Sequence, residues 1–209
     1  NENIINSTHL LYEIFKQELL RSFKYPITHI LNKYIGYSTQ YKSLSISVFN
    51  EENKVESIAI QKATTKNGQS VKWKSYGKKT FITDKIKDDF IFIGVGMKEL
   101  VLLEIMKVSF LHLQSDSMVR HISKELIDKG VDKNIIILKE NDESFERVVL
   151  KLQEMFYLSN IYVIDFEKQM NRKLNKGYDF VDYYNEIGDV GVVEKELEQE
   201  IIRQIRDKR

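Results

Sequence analysis

Residues 90–166 alternate short, unbroken apolar runs with amphipathic stretches, and this rhythm restricts the fold more tightly than any other feature of the chain. The apolar runs are FIFIGV (90–95), VSFLHLQ (108–114), NIIILKE (134–140) and IYVIDF (161–166). A strand with one wet face would alternate apolar and polar residues, so runs this continuous predict strands covered on both sides. Between them MKELVLLEIMK (97–107), the segment Ser117–Lys129 with Ser115, Asp116 or Ser117 as its cap, and the segment Glu143–Tyr157 have helical spacing. Strand–helix alternation of this length predicts a parallel sheet whose helices serve as crossovers.

The preceding residues have a different texture. Leu11, Ile14, Phe15, Leu19 and Phe23 recur at helical spacing over 8–23, with Asn6 or Ser7 as N-cap, and a second short helix is expected from Pro26 to about Gly36. SLSISVF (43–49) and VESIAIQKA (55–63) each alternate and are joined by NEENK, which predicts a β-hairpin. After Asn67-Gly68, SVKWKSY and KKTFI extend it, so 43–83 is expected as an antiparallel meander. At the far end Val193, Leu197, Ile201, Ile202 and Ile205 form the stripe of a closing helix. The expected architecture is an α/β protein: a helical and β-meander subdomain over 1–87, a parallel-sheet domain over 88–187 and a C-terminal helix over 188–209.

With 209 residues the chain can bury a substantial core. It has no cysteine, which removes disulfides and Cys-ligated zinc and fits a reducing, cytoplasmic compartment. No apolar run approaches the roughly 20 residues that span a bilayer, so no membrane partner is expected. The chain opens at Asn1 and is expected to be a piece of something longer. A net charge of +1 does not advertise a polyanion partner, but its distribution does. Lys62, Lys66, Lys72, Lys74, Lys78, Lys79, Lys85 and Lys87 face a single acid, Asp84, and are interleaved with Trp73, Tyr76 and Phe81. Clustered ammonium groups with neighbouring rings suit phosphates and unstacked bases, which makes Lys72, Trp73, Lys74, Lys78 and Lys79 candidate DNA or RNA contacts. The competing account is an ordinary solvated face.

Ligands of open parallel sheets bind beyond the carboxyl ends of the strands. Acids gather there: Glu99, Asp116, Glu140, Asp142, Asp165 and Glu167, with Asp179 and Asp182 further on. Glu140 and Asp142, two apart as the chain leaves a strand, can share a cation, and hard carboxylate oxygens suit Mg²⁺. Gly94-x-Gly96-x-x-Glu99 approaches a dinucleotide fingerprint, but a glutamate at its third position sets negative charge where a pyrophosphate would lie. The four histidines lack metal-ligand spacing, and no Walker A or G-x-S-x-G sequence occurs.

Three segments in order carry a family resemblance. FIFIGVGMKELVLLEI, IIILKENDESF and KGYDFVDYYN resemble the three motifs of Toprim domains: Glu-Gly leaving the first strand, Asp-x-Asp leaving the third, and a later Lys-Asp-x-x-Asp. Residues 43–83 are similar to the β-rich segment that precedes Toprim in bacterial and phage primases, so the resemblance covers about 40–187. It implies a primase-related protein of phage or mobile-element DNA replication, acting on DNA or RNA beside other replication proteins. It implies Mg²⁺-dependent nucleotidyl transfer, with Glu140 and Asp142 as metal ligands and Glu99 as a substitute catalytic carboxylate. The sequence departs at the family's first glutamate, which is Val95, a side chain with no proton to move and no lone pair. Its first Asp-x-Asp acid is Glu140. The alternative implied by these departures is a degenerate Toprim scaffold that serves as a nucleic-acid or protein interaction module.

Overall fold

A computed structural model of the chain describes residues 35–38, 40–41, 43–49, 55–61, 73–77 and 82–208. The chain divides into two compact units, Asn1–Phe81 and Ile82–Arg209. In the first, strands β1 (Ile35–Ser38), β2 (Ser43–Phe49), β3 (Val55–Gln61) and β4 (Trp73–Gly77) form an antiparallel sheet in sequential order. The expected hairpin is β2–β3, in register from Ser45↔Ile60 to Val48↔Ser57 with an irregularity at Phe49. Strand β1 replaces the end of the helix expected to close near Gly36. Four residues including a glycine carry almost no periodic signal, and pairing with β2 supplies what propensity does not. The helix over 8–23 and the rest of the helix from Pro26 lie outside the described residues.

The second unit contains β5 (Ile82–Lys85), β6 (Phe90–Val95), α1 (Met97–Met106), β7 (Ser109–Leu113), a 3₁₀ turn (Asp116–His121), α2 (Lys124–Gly130), β8 (Asn134–Lys139), α3 (Glu143–Met155), β9 (Asn160–Asp165), α4 (Phe166–Met170), α5 (Phe180–Ile187) and α6 (Val190–Asp207). Its sheet runs β5-β7-β6-β8-β9, with the last four strands parallel as expected. Strand β5 departs from the expected meander and pairs antiparallel with β7, from Ile82↔Leu113 to Lys85↔Phe110. The strand expected over KKTFI meets β5 only at Ile82, its other residues lying outside the described ones, and Thr83-Asp84-Lys85 carries no local strand signal.

Alternate strand residues point to opposite faces. Ile91, Ile93, Leu111, Leu113, Ile135 and Ile137 join Val119, Ile122, Phe145, Val148, Val149, Leu152 and Phe156 in one cluster. Helices α1, α5 and α6 pack on one another on the other face. There Phe166, which leaves β9, stacks on Tyr183 and Phe180 with ring centroids 4.8 Å and 6.1 Å away. At Gly94 a Cβ would stand 2.9 Å from Leu103 Cδ1, so glycine is what lets α1 lie this close to β6.

The single helix expected over Ser117–Lys129 is interrupted. Ile122 is extended, and Ser123 Oγ accepts the Leu126 N–H to start α2 afresh. Helix α4 carries no sequence signal beyond its cap, Asp165. At the outer edge of the sheet, α6 guards β9: Gln204 Nε2 donates to Val163 O at 2.9 Å and Lys208 Nζ to Ile161 O. Among the described residues no helix is long and apolar enough to cross a membrane.

Candidate functional site

The chain leaves β6 toward β7 through α1 on one face and returns to β8 through the 3₁₀ turn and α2 on the other. The crevice between β6 and β8 is therefore the switch point of the sheet, where a ligand site is expected. Val95 ends β6, half-buried against the apolar cluster behind the sheet, and offers the crevice no polar atom. Gly96 follows at φ 116° and ψ 150°, a conformation reserved for glycine. Its N–H donates to Leu113 O at 2.9 Å, and its carbonyl accepts from His112 Nε2 at 2.6 Å. That bond places the His112 proton on Nε2, and Nδ1 is buried without a partner. Burial lowers the His112 pKa to about 4, against the opposing pull of the Gly96 carbonyl.

Glu99, in the first turn of α1, is only 5% exposed. Its carboxyl folds back over Gly96, where a Cβ would stand 2.4 Å from Oε2. Its pKa is pushed well above the ordinary glutamate value, first by burial, then by the charge of Asp179, to which it is also hydrogen-bonded, and by the charge of Glu140. Glu99 is thus the carboxyl whose ionisation is most opposed in a group of three acids, one from each of three segments.

Glu140 reaches this group from the end of β8, its Oε1 3.7 Å from where a Cβ on Gly177 would be. Asn141 lashes the opposing loop in place. Its Nδ2 donates to Leu174 O at 3.0 Å and Asn175 O at 3.1 Å, its N–H to Tyr178 O at 2.8 Å, and its carbonyl accepts from Gly177 N at 2.8 Å. Glu167 Oε1 accepts the Leu174 N–H at 2.8 Å and tightens the same loop. The loop delivers Asp179, which caps α5 in a reciprocal box with Asp182. Burial, with Asp179 next to it, raises the Asp182 pKa.

Asp142 takes another direction. It caps α3, accepting the Ser144 N–H at 2.8 Å, and lies 3.6 Å from Lys176 Nζ. The Ser144 bonds chiefly, and Lys176 next, hold its pKa below the usual aspartate range. Asp165 is likewise occupied, capping α4 and pairing with Lys139 at 3.0 Å. The structure therefore brings Glu99 and Glu140 together, adds Asp179, and turns Asp142 toward a helix terminus. The i, i+3 spacing of Asp179 and Asp182 signals the capping box, but nothing local signals the meeting with Glu99.

A divalent cation fits this arrangement poorly. Mg²⁺ needs several ionised hard oxygens in near-octahedral array. Val95 supplies none, burial and the charge of Asp179 oppose ionisation of Glu99, and Asp142 faces Lys176 and the α3 amides. Among the described residues no three His, Cys, Asp or Glu side chains form a metal cage. Of the lysine-rich segment, Lys72, Lys78 and Lys79 lie outside the described residues. Trp73 and Lys74 contribute backbone to β4, and their side chains lie outside them too. Lys85, within that stretch, is paired with Glu104 at 2.5 Å.

No family model and no curated protein matches the chain. Solved structures do. The *Aquifex aeolicus* primase (zinc-binding and RNA polymerase domains) matches with a TM-score of 0.61 at 11% identity, over 88% of this chain and 55% of that one. The fold is that of a primase core. The primase fragment of the bacteriophage T7 primase-helicase matches at 0.53 and 13% identity, over 82% and 69% of the two chains. The RNA polymerase domain of *Mycobacterium tuberculosis* primase DnaG, solved with a double-stranded DNA oligomer bearing an overhang, matches at 0.51 and 11%, over 80% and 58%. The chain spans just over half of the *Aquifex* primase structure.

Proposed function

We propose that this chain is a Toprim-like, primase-related protein that acts on nucleic acid in phage or mobile-element replication as a scaffold without metal-dependent nucleotidyl transfer. The observation that carries the reading is the state of Glu99. The carboxyl nearest the family's missing glutamate is buried beside Asp179, and burial and that neighbouring charge raise its pKa, while Val95 leaves the vacated position apolar. A protonated acid is a poor ligand for a hard cation, and in-line phosphoryl chemistry depends on placement at the ångström scale. Nucleic acid is then held by the lysine-rich stretch, with Lys72, Trp73, Lys74, Lys78 and Lys79 contacting phosphates and bases. The charge distribution supports that division, since Glu140, Asp179 and Asp182 make the strand-end rim repel phosphates. In this reading residues 1–87 bind and 88–187 form the core on which further replication proteins assemble.

Calorimetry with MgCl₂, a template-directed primer assay and a salt series of single-strand binding test it together. The expected results are no saturable Mg²⁺ binding, no primer, and a log–log salt slope of roughly −0.7 per phosphate contacted. Saturable Mg²⁺ binding that Glu140→Gln abolishes, accompanied by primer synthesis, overturns the scaffold reading. Binding indifferent to salt overturns the phosphate contacts.

A further inference from the structure

At the end of the sheet opposite the acidic rim, α6 and the carboxyl end of α1 leave a groove of about 430 Å³ over the start of β6. Phe90, Phe92, Met106, Ile201 and Ile202 give it an apolar floor and walls, and Glu194 and Glu198 line it alongside them. Phe90 and Ile202 are each 40% exposed and lie together in this groove, so their apolar surface is contiguous. Neither glutamate has an ion-pair or hydrogen-bond partner among the described residues. Burial raises the Glu194 pKa, and Lys107 opposes this only through its charge. The groove thus combines apolar surface with two acids that no described residue pairs with, Glu194 feeling only the charge of Lys107.

That combination selects its occupant by charge. A nucleic-acid strand is repelled by Glu194 and Glu198, and a purely aliphatic ligand would bury them unpaired at a cost. A segment carrying apolar anchors and cations one helical turn apart satisfies both features. Glu194 and Glu198 are themselves one turn apart, and α6 rises about 16 Å from Glu194 to Ile205, the length of three turns. From this geometry we infer that the groove is a docking surface for a short basic amphipathic helix of a partner protein, its leucine- or phenylalanine-type side chains between Phe90 and Ile202 and its Lys or Arg residues against Glu194 and Glu198. Helix-in-groove recognition of this kind is read through anchors at i, i+3, i+4 and i+7. The inference is independent of what the lysine-rich segment or the acidic rim does.

The test uses the full chain and two labelled, designed 14-residue helices with the same leucine face, one bearing lysines one turn apart and the other glutamates at those positions. Fluorescence anisotropy should show saturable binding of the lysine helix and at least tenfold weaker binding of the glutamate helix. The double variant Glu194→Lys/Glu198→Lys should invert that preference, an outcome that loss of folding cannot mimic. Ile202→Asp should weaken both helices, with circular dichroism unchanged. Equal binding of the two helices, or no inversion, overturns the assignment. So does a concentration-dependent dimer in sedimentation velocity that Ile202→Asp abolishes, because a second copy would then be the occupant.

Discussion

Glu99→Gln removes the buried proton while keeping the shape of the side chain and a donor for Asp179. In the unfolded chain a glutamate titrates near 4.5; in the folded protein Glu99 titrates well above that. Between the two values the folded state holds a proton that the unfolded state has released, so stability must fall as pH rises. The slope for one proton is about 1.4 kcal/mol per pH unit. Glutamine has no such term. The stability of the variant minus that of the wild type should therefore climb by about 1.4 kcal/mol per pH unit from about pH 4.5 and level off once Glu99 ionises in the folded state. For a chain of this size that is about 3–6 °C in Tm per pH unit. His112 acts with the opposite sign: its folded pKa of about 4 lies below its unfolded 6.5, so its contribution is complete above 6.5 and is lost as pH falls toward 4. Being common to both proteins, it cancels in the difference. Urea and thermal unfolding of both proteins from pH 4 to 9 measure the curve. Parallel curves would show that Glu99 is ionised and solvated, and the argument against a cation site would lose its main support.

Two further outcomes follow from the site. Asn141→Ala removes both side-chain bonds to the 174–175 carbonyls and should cost about 1–3 kcal/mol, with hydrogen exchange accelerated selectively at Gly177 and Tyr178. Asp142→Ala should fray the start of α3, visible as faster exchange at Ser144, and slightly lower the melting temperature while leaving Mg²⁺ titrations unchanged; lost Mg²⁺ binding would restore Asp142 as a ligand.

What was legible in the sequence divides along physical lines. The four parallel strands announce themselves because burial on both faces requires unbroken apolar runs, and α3 and α6 because amphipathic stripes are local. Strand β5 was not legible: it shares only Ile82 with the expected strand KKTFI, and its place in the second sheet is chosen by tertiary packing. The break at Ile122 follows from Ser123 competing as a cap inside an otherwise helical stretch. In the candidate site, composition points to the strand-end acids but not to their division of labour. Asp142 and Glu140 look equivalent in the sequence, yet one satisfies a helix terminus and the other faces Glu99. Asp179 meets Glu99 at the end of a loop that Asn141 bonds from more than thirty residues away and that the Asp182 capping box continues into α5.

The bonds from α6 to β9 have a consequence for solubility. A parallel sheet that ends in an uncovered strand presents a ready template for any extended peptide, including an unfolding copy of the same chain. Gln204 and Lys208 occupy the outward carbonyls of Val163 and Ile161, and the Lys208 ammonium also sits 4.3 Å from the centre of the Tyr162 ring. The last turn of α6 thus works as a shutter over the ladder. Removing the last six residues, Gln204 and Lys208 among them, should open that border, measurable as faster thioflavin-positive aggregation of the shortened chain.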